Sequence, residues 1–401
     1  MKDRVILAYS GGLDTSFLIK WIQEKYGVDV VTLTVDVGQG DDLKSVADKA
    51  LAIGAIRHYT VDSKEEFVRD YIFPSVKANG LYEGQYPIST ALARPLISSK
   101  LVEVARKENA IGVAHGCTGK GNDQARFDIT IRALAPELKI IAPIREHNLS
   151  RMEELEYLRK HEVTLPFEIS KTYSIDQNLW GRSIEGGGLE DPMTEPLEDI
   201  YSWTVAPEKA PDRAVYLTLE FERGIPVSID GTPESPVELV AKLNVLAGRH
   251  GVGRIDHMED RLIGIKSREV YECPAATVIL LAHQDLEKAT LTRHEIMFKQ
   301  WIDQHWAFLV YAGLWLEPLR RDLDAFIDST QQRVSGKVKL KMYKGSLRVV
   351  GRSSPESLYD RNLATYGVET TFDQTLARGF VELWGLPTTV ANIIARRVHQ
   401  T

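Results

Sequence analysis

The stretch Ser10-Gly11-Gly12-Leu13-Asp14-Thr15-Ser16 sets three hydroxyl side chains and two glycines directly after the apolar run Val5-Ile-Leu-Ala-Tyr9. Glycine permits backbone conformations that a Cβ forbids, and a helix starting near Asp14 turns its unpaired N–H groups and positive dipole end back into the turn. The chemistry this suits is the binding of a phosphate group. A second stretch, from His115 to Asp128, carries three glycines together with Thr118, Lys120, Asn122, Asp123 and Arg126. Those five supply hydroxyl, ammonium, amide, carboxylate and guanidinium, a mixture no hydrophobic core requires. Lys120 suits a phosphate as a point charge, and Arg126 suits a planar carboxylate through paired N–H bonds. Asp123 reads either as a helix N-cap or, beside Asn122 and Thr118, as a receptor for an amino group.

Both stretches need a frame. Leu13, Phe17, Leu18 and Trp21 recur at helical spacing through Lys25, so the first is strand, tight turn, helix. The alternation continues with strands at 28–36 and near 57–62, helices at 42–51 and from about Ser63, and a helix over 91–107. A strand at 110–115, a helix at 123–134 and a strand at 139–142 complete it. Repeated βα units of this kind predict a doubly wound parallel sheet with ligands at the carboxyl ends of its strands. Both glycine loops follow strands and are expected to open onto one crevice.

At 401 residues the chain is expected to hold more than one domain. A net charge of −7 argues against a general nucleic-acid or membrane binder, so any anion site is local. Two cysteines far apart, Cys117 and Cys273, support neither a disulfide framework nor a zinc site, and no metal-binding cluster is read. The N-terminus runs straight into a strand without a signal-peptide pattern, and no apolar run reaches about 18 residues, so the cytoplasm is the expected compartment. Neither glycine loop fits the Walker pattern or the dinucleotide G-x-G-x-x-G.

After residue 165 the grammar changes. Residues 167–211 are rich in Gly, Pro, Ser and acids and read as a long irregular segment, a substrate-covering loop or a solvated connector. Strands at 214–222 and 226–229, a helix at 237–248 and two short strands within 251–268 follow. Residues 275–328 are mostly helical, and their aromatic side chains, among them Trp301, Trp306 and Tyr311, are expected to pack a core or a subunit contact. Residues 332–352 read as a hairpin turning at Gly345. The tail predicts one helix to about Trp384, then Pro387 and a second short helix. The organisation expected is a nucleotide-binding domain at 1–165, a second α+β domain at 166–365, and C-terminal oligomerisation helices at 366–401.

The motif S-G-G-L-D-T-S after a first strand resembles the PP-loop of the ATP pyrophosphatases, which cleave ATP between its α and β phosphates. Joined to H-G-C-T-G-K-G-N-D-Q-A-R-F at 115–127, it is similar to the argininosuccinate synthases, ligases that join citrulline to aspartate using ATP. Thr90-Ala-Leu-Ala-Arg-Pro95, Ser174-Ile-Asp-Gln-Asn178, Gly251-Val-Gly-Arg254, Ile265-Lys-Ser-Arg268 and Tyr271-Glu-Cys-Pro274 agree with the same family. The resemblance implies an adenine nucleotide alpha hydrolase-like domain and a synthetase domain. ATP, accompanied by Mg2+, would be held by Ala8, Tyr9, Ser10, Gly11, Gly12, Leu13, Asp14, Thr15, Ser16, Val35 and Gly116. Thr118, Asn122 and Asp123 would hold aspartate. Tyr86, Thr90, Asn122, Arg126, Ser174, Ser183, Glu259 and Tyr271 would hold citrulline; a serine that some members place after Thr90 is Ala91 here. Asp14, Lys120 and Asp123 would carry the catalysis, with Asp14 and Asp123 both open as general base, and the assembly would be a homotetramer. Another ATP pyrophosphatase, such as a synthetase for GMP or NAD or a tRNA-thiolating enzyme, is the alternative; a thiolase is expected to show paired cysteines that this chain lacks.

Overall fold

A computed structural model describes residues 2–163 and 173–399. The first strands are β1 (Arg4–Ala8), β2 (Asp29–Asp36), β3 (Arg57–Asp62), β4 (Gly112–Ala114) and β5 (Lys139–Ile141), all parallel and ordered β3-β2-β1-β4-β5. Helices α1 (Leu13–Tyr26), α2 (Leu43–Ile53), α3 (Lys64–Phe67), α4 (Phe73–Lys77), α5 (Ser89–Lys107), α6 (Asp123–Leu134), α7 (Pro143–His147) and α8 (Arg151–Lys160) cross over between and after them. Side chains alternate across a strand, and β1 shows why the sheet is buried on both faces: Val5 and Leu7 pack with Phe17, Leu18 and Ile22 of α1, while Ile6 packs with Leu92 and Leu96 of α5. Strand order reverses between β1 and β4, and that switch point is where an open parallel sheet leaves a crevice. Both glycine loops leave from it. The helix expected from Ser63 is interrupted by a π turn over Val68–Ile72 between α3 and α4.

Residues 174–185, expected to be irregular, form a hairpin instead. Strands β6 (Ser174–Asn178) and β7 (Gly181–Glu185) pair with each other, and β7 pairs with β12 (Lys266–Glu272), itself paired with β11 (Arg254–Asp260). Asp, Gln and Asn are poor strand formers, so local composition concealed a strand whose stability comes from its cross-strand neighbours. Residues 167–172 of that segment, and the expected domain boundary at 165/166, lie outside the described residues. A second antiparallel sheet is ordered β10-β9-β8-β13-β14, from β8 (Val215–Glu222), β9 (Ile225–Ile229), β10 (Thr232–Pro233), β13 (Gly336–Tyr343) and β14 (Ser346–Ser353). Helices α9 (Pro236–Arg249) and α10 (Pro274–Thr290) pack on it, and α11 (Arg293–Tyr311) and α12 (Pro318–Gln331) pack on each other and on α5 and α4 respectively. Trp306 and Tyr311 are buried as expected, whereas Trp301 is exposed. One apolar core joins the parallel sheet to these later elements, and residues Met1–Glu356 form one compact unit.

The unit Ser357–Thr401 contains α13 (Arg361–Ala364) and α14 (Leu376–Val398). Here the expected break at Pro387 does not occur: α14 runs through it as a single helix. Proline removes one i→i−4 donor and crowds the preceding turn. Within the same stretch of helix the Thr389 hydroxyl donates to the Gly385 carbonyl at 3.0 Å. No helix of the described residues is long and apolar enough to cross a membrane.

Candidate active site

The first loop is built as its sequence requires. Gly11 takes φ +75°, Gly12 is extended, and α1 begins at Leu13 without a side-chain cap, so its leading N–H groups remain available to a ligand. Ser10 Oγ lies 3.3 Å from Thr15 Oγ1 and accepts the Gly12 N–H, while Lys49 Nζ donates to the Gly11 carbonyl at 3.0 Å. Tyr9 and Ser16 hydroxyls lie 3.2 Å apart beneath. Val35, at the end of β2, is buried, and its carbonyl accepts Gln39 Nε2 at 3.1 Å.

The second loop leaves β4 beside the first. A side-chain carbon on Gly116 would meet Asp14 Cβ at 3.4 Å, which places the two loops in contact. Buried His115 anchors the second: its Nδ1 accepts the Cys117 N–H at 3.2 Å and its Nε2 donates to Asp128 at 2.9 Å. Thr118 and Lys120 stand exposed on the crest, and the Lys120 side chain has no hydrogen-bond or ion-pair partner among the described residues.

Where α6 begins, charge is concentrated. Both oxygens of Asp123 are engaged, Oδ1 by Arg126 Nη1 at 2.9 Å and Oδ2 by Arg94 Nε at 2.8 Å. Arg94 continues to Asp176 of β6 at 2.6 Å, tying the parallel sheet to the hairpin. Burial works to raise the Asp123 pKa, but the two guanidinium groups outweigh it and hold this carboxyl below its ordinary value. Arg126 is buried, and its Nη2 has no hydrogen-bond partner among the described residues. A buried guanidinium with an unused N–H edge is a receptor waiting for an anion.

Opposite stands a carboxylate cage. Glu259 is buried and accepts the phenolic O–H of Tyr271 at 2.6 Å and of Tyr311 at 2.5 Å. Burial first, and neighbouring acidic groups second, push both phenols far above their ordinary pKa, so they are neutral donors at pH 7. Tyr86 stacks on Tyr271 at 4.0 Å, and its hydroxyl accepts the Thr90 N–H at 3.0 Å. Register places Ser183 opposite both Tyr271 and Asp176, and Ser174 opposite Glu185, so these residues share one sheet face. Ser174 is exposed at the rim, away from the buried cage. Asn122 bridges the halves: its Oδ1 accepts the Leu262 N–H at 2.9 Å and its Nδ2 donates to Tyr311 at 2.8 Å.

Tyr311, Arg94, Asp176 and Tyr82 were not singled out as site residues from the sequence. Arg94 carried one signal, a cation in the apolar helix Ala-Leu-Ala-Arg-Pro-Leu. Tyr311 carried none, because an aromatic residue at the end of an aromatic-rich helix looks like core. Gly313 explains how it reaches the site: at φ +76° its Cα faces α6 so closely that a Cβ would lie 2.8 Å from Arg126 Cα.

Glu154 of α8 is a further buried carboxyl beside Asp14, its Oε2 without a hydrogen-bond partner among the described residues, and burial with the nearby Asp14 charge pushes its pKa up to about 9. The folded protein therefore keeps a proton that the unfolded chain releases above its ordinary value of 4.5, so stability falls as pH rises from about 4.5 to about 9. Glu154→Gln is expected to raise Tm at pH 8.5 by about 5 °C, with the gain shrinking toward pH 5. Thermal unfolding at the two pH values checks this, and an equal effect at both would refute it.

Two family models cover nearly all the chain: the arginosuccinate synthase N-terminal HUP domain matches residues 4–164 and the arginosuccinate synthase C-terminal domain residues 173–391. The argininosuccinate synthase of Pyrococcus furiosus is 56% identical over 398 residues, 99% of this chain and 96% of that protein. Those of Rubrobacter xylanophilus and Dehalococcoides mccartyi are 54% and 53% identical, each over 96% of this chain and 94% and 95% of their own lengths.

Proposed function

The chain belongs to the argininosuccinate synthase family of ligases, and from that premise we propose the following division of labour within its crevice. ATP, citrulline and aspartate become AMP, pyrophosphate and argininosuccinate. A ureido carbon resists amines because its oxygen leaves poorly. The ureido oxygen of citrulline attacks the α-phosphorus of ATP and expels pyrophosphate; the aspartate amine then attacks the activated carbon and AMP departs.

Ala8–Ser16 and Gly116 hold the nucleotide phosphates, with adenine toward the end of β2 at Val35. The first-turn N–H groups of α1 and Lys120 stabilise the charge that grows on the leaving pyrophosphate. Among the described residues no group of three or more His, Cys, Asp or Glu side chains could hold a metal, so Mg2+ would be carried by the phosphate oxygens, where it neutralises their charge. Arg126, with its unpaired Nη2, receives the citrulline carboxylate, assisted by Tyr86, Thr90 and Asn122. Glu259 and Tyr271, with Ser174 and Ser183 along the same sheet face, hold the rest of citrulline. Thr118, Asn122 and Asp123 hold aspartate. Asp123, its basicity depressed by two arginines, orients the amine as an acceptor, and Asp14 is left as the nearer carboxylate to the phosphate loop. Much of the rate comes from placing three substrates in one geometry.

The observation that supports this reading most directly is the contact of two glycine loops at the β1/β4 switch point, with the Asp123–Arg126 pair opening α6 beside them. Citrulline labelled with ¹⁸O at the ureido oxygen is expected to deliver the label to AMP, with one pyrophosphate formed per argininosuccinate. Unlabelled AMP in a turning-over enzyme would refute the adenylate route, and absence of turnover with citrulline would refute the substrate assignment. A homotetramer in the cytoplasm completes the proposal. The exposed apolar side chains of α14, including Leu383 and Trp384, support the oligomeric part.

A further inference from the structure

Three ligand-facing residues, Asn122, Glu259 and Arg126, converge on a single tyrosine. Tyr311 Oη donates to Glu259 Oε1 at 2.5 Å and accepts from Asn122 Nδ2 at 2.8 Å. The Tyr311 carbonyl accepts Arg126 Nε at 3.0 Å, and the Arg126 guanidinium lies over the Tyr311 ring at 4.9 Å. The ring itself is fixed by Tyr82, stacked face to face at 3.5 Å and 4°, and Tyr82 is in turn held by its hydroxyl bond to the Asp260 carbonyl at 2.8 Å. The C-terminal turn of α11 thus reaches across to α6 and β11 at once.

Each bond removes a freedom that matters for recognition. Asn122 has both ends of its amide committed, Oδ1 to the Leu262 N–H and Nδ2 to Tyr311, so it cannot flip, and only its second N–H and second lone pair face a ligand. Glu259 has one phenol on each oxygen, which fixes its plane and leaves its outer lone pairs pointing one way. Arg126 keeps Nε on the Tyr311 backbone and Nη1 on Asp123, so Nη2 is the edge left over.

We propose that Tyr311 is a positioning residue for citrulline: through its hydroxyl it holds Asn122 and Glu259 in the orientation that recognises this substrate, while contributing nothing to ATP binding. The inference rests on the substrate assignment made above. The phosphate turn Ser10–Ser16 has no bond to Tyr311, and of the second loop only Asn122, a residue assigned to citrulline and aspartate, bonds to it, so the effect spares ATP.

Tyr311→Phe tests it in the full-length enzyme. Phenylalanine keeps the ring on Tyr82 and the carbonyl on Arg126 and removes only the hydroxyl. Loss of hydrogen bonds to a charged group and an amide is expected to raise the citrulline KM by about 10- to 100-fold. ATP KM is expected to stay within about twofold and Tm within about 3 °C, since a merely structural role would move all three together. A cycle with Glu259→Gln is expected to be less than additive in citrulline KM, because Tyr311 acts through Glu259. An unchanged citrulline KM, an equal rise in the ATP KM, a Tm loss beyond about 5 °C or full additivity in the cycle would each overturn the proposal. Wild-type enzyme assayed in parallel separates the two readings: no argininosuccinate from wild type sinks the substrate assignment, whereas normal wild type with a normal Tyr311→Phe sinks only the role of Tyr311.

Discussion

Asp123→Asn is expected to reduce argininosuccinate formation by about a thousandfold, with citrulline-dependent exchange of labelled pyrophosphate into ATP largely retained. The carboxylate sits between two guanidinium groups and bonds to one with each oxygen. Asparagine offers a single acceptor oxygen, so one arginine keeps a neutral acceptor while the other loses its partner and faces an N–H instead. Breaking a buried ion pair from one side costs about 3–5 kcal/mol, and each 1.36 kcal/mol that falls on the transition state is about tenfold in rate. The burden falls chiefly on the aspartate step because Asp123 is assigned to the aspartate amine and has no bond to the phosphate turn between β1 and α1; Arg126, which keeps its Tyr311 carbonyl bond, still receives citrulline at saturating concentration. Steady-state rates with varied aspartate, alongside the exchange assay, check this. A loss below about tenfold in kcat/KM for aspartate would make the carboxylate a bystander, and loss of exchange would place it in the first half-reaction. The pH profile adds a sign. Because the folded pKa of Asp123 lies below its ordinary value, protonation of this group cannot account for any fall in activity between pH 7 and pH 5.

What the sequence made legible follows from how far each signal reaches. The alternation from Val5 to Ile141 is local, each strand bearing its own apolar run, so the five strands of the parallel sheet were readable, whereas their order, set by contacts far apart in the chain, was not. Ser10–Ser16 and the stretch after His115 were readable because glycine, hydroxyl and charge sit within a dozen residues of one another. The strands at 174–178 and 181–185 were not, since Asp176, Gln177 and Asn178 resist the strand and are held in it by β7, and through β7 by β12. Arg94 and Asp176 lie 82 positions apart, and no local pattern says that they meet. Tyr311 shows the same limit more sharply. Its burial was expected, but its polar end faces Asn122 and Glu259 from 189 and 52 positions away, a fact set by the turn at Gly313 and invisible in the aromatic spacing of its helix.

That long-range assembly has a structural keystone on the far face of the same sheet. Register puts Tyr271 and Ser183 toward the substrate side of β12 and β7, and therefore Glu272 and Arg182 toward the other. Glu272 is fully buried and accepts five hydrogen bonds: from Arg182 Nη1 at 2.7 Å, from the N–H groups of Ser202, Trp203 and Thr204 at 3.0, 2.9 and 2.8 Å, and from the Thr204 hydroxyl at 2.8 Å. One carboxylate thus organises the otherwise irregular run 202–204 and neutralises a buried arginine. Glu272→Ala leaves Arg182 uncompensated and three backbone donors unsatisfied, and is expected to cost about 3–5 kcal/mol. For a unit of this size that is a fall in Tm of about 10 °C. Thermal unfolding of the full chain measures it, and a fall of under about 3 °C would show that water can replace the carboxylate. Glu272→Gln keeps an acceptor and the volume, so its loss is expected to be smaller. The functional consequence is directional. Because Glu272 immediately follows Tyr271 on β12, loosening its anchor disturbs the Glu259–Tyr271–Tyr311 cage first, and citrulline affinity in Glu272→Gln is expected to weaken before ATP affinity does, since the phosphate loops hang from a different sheet.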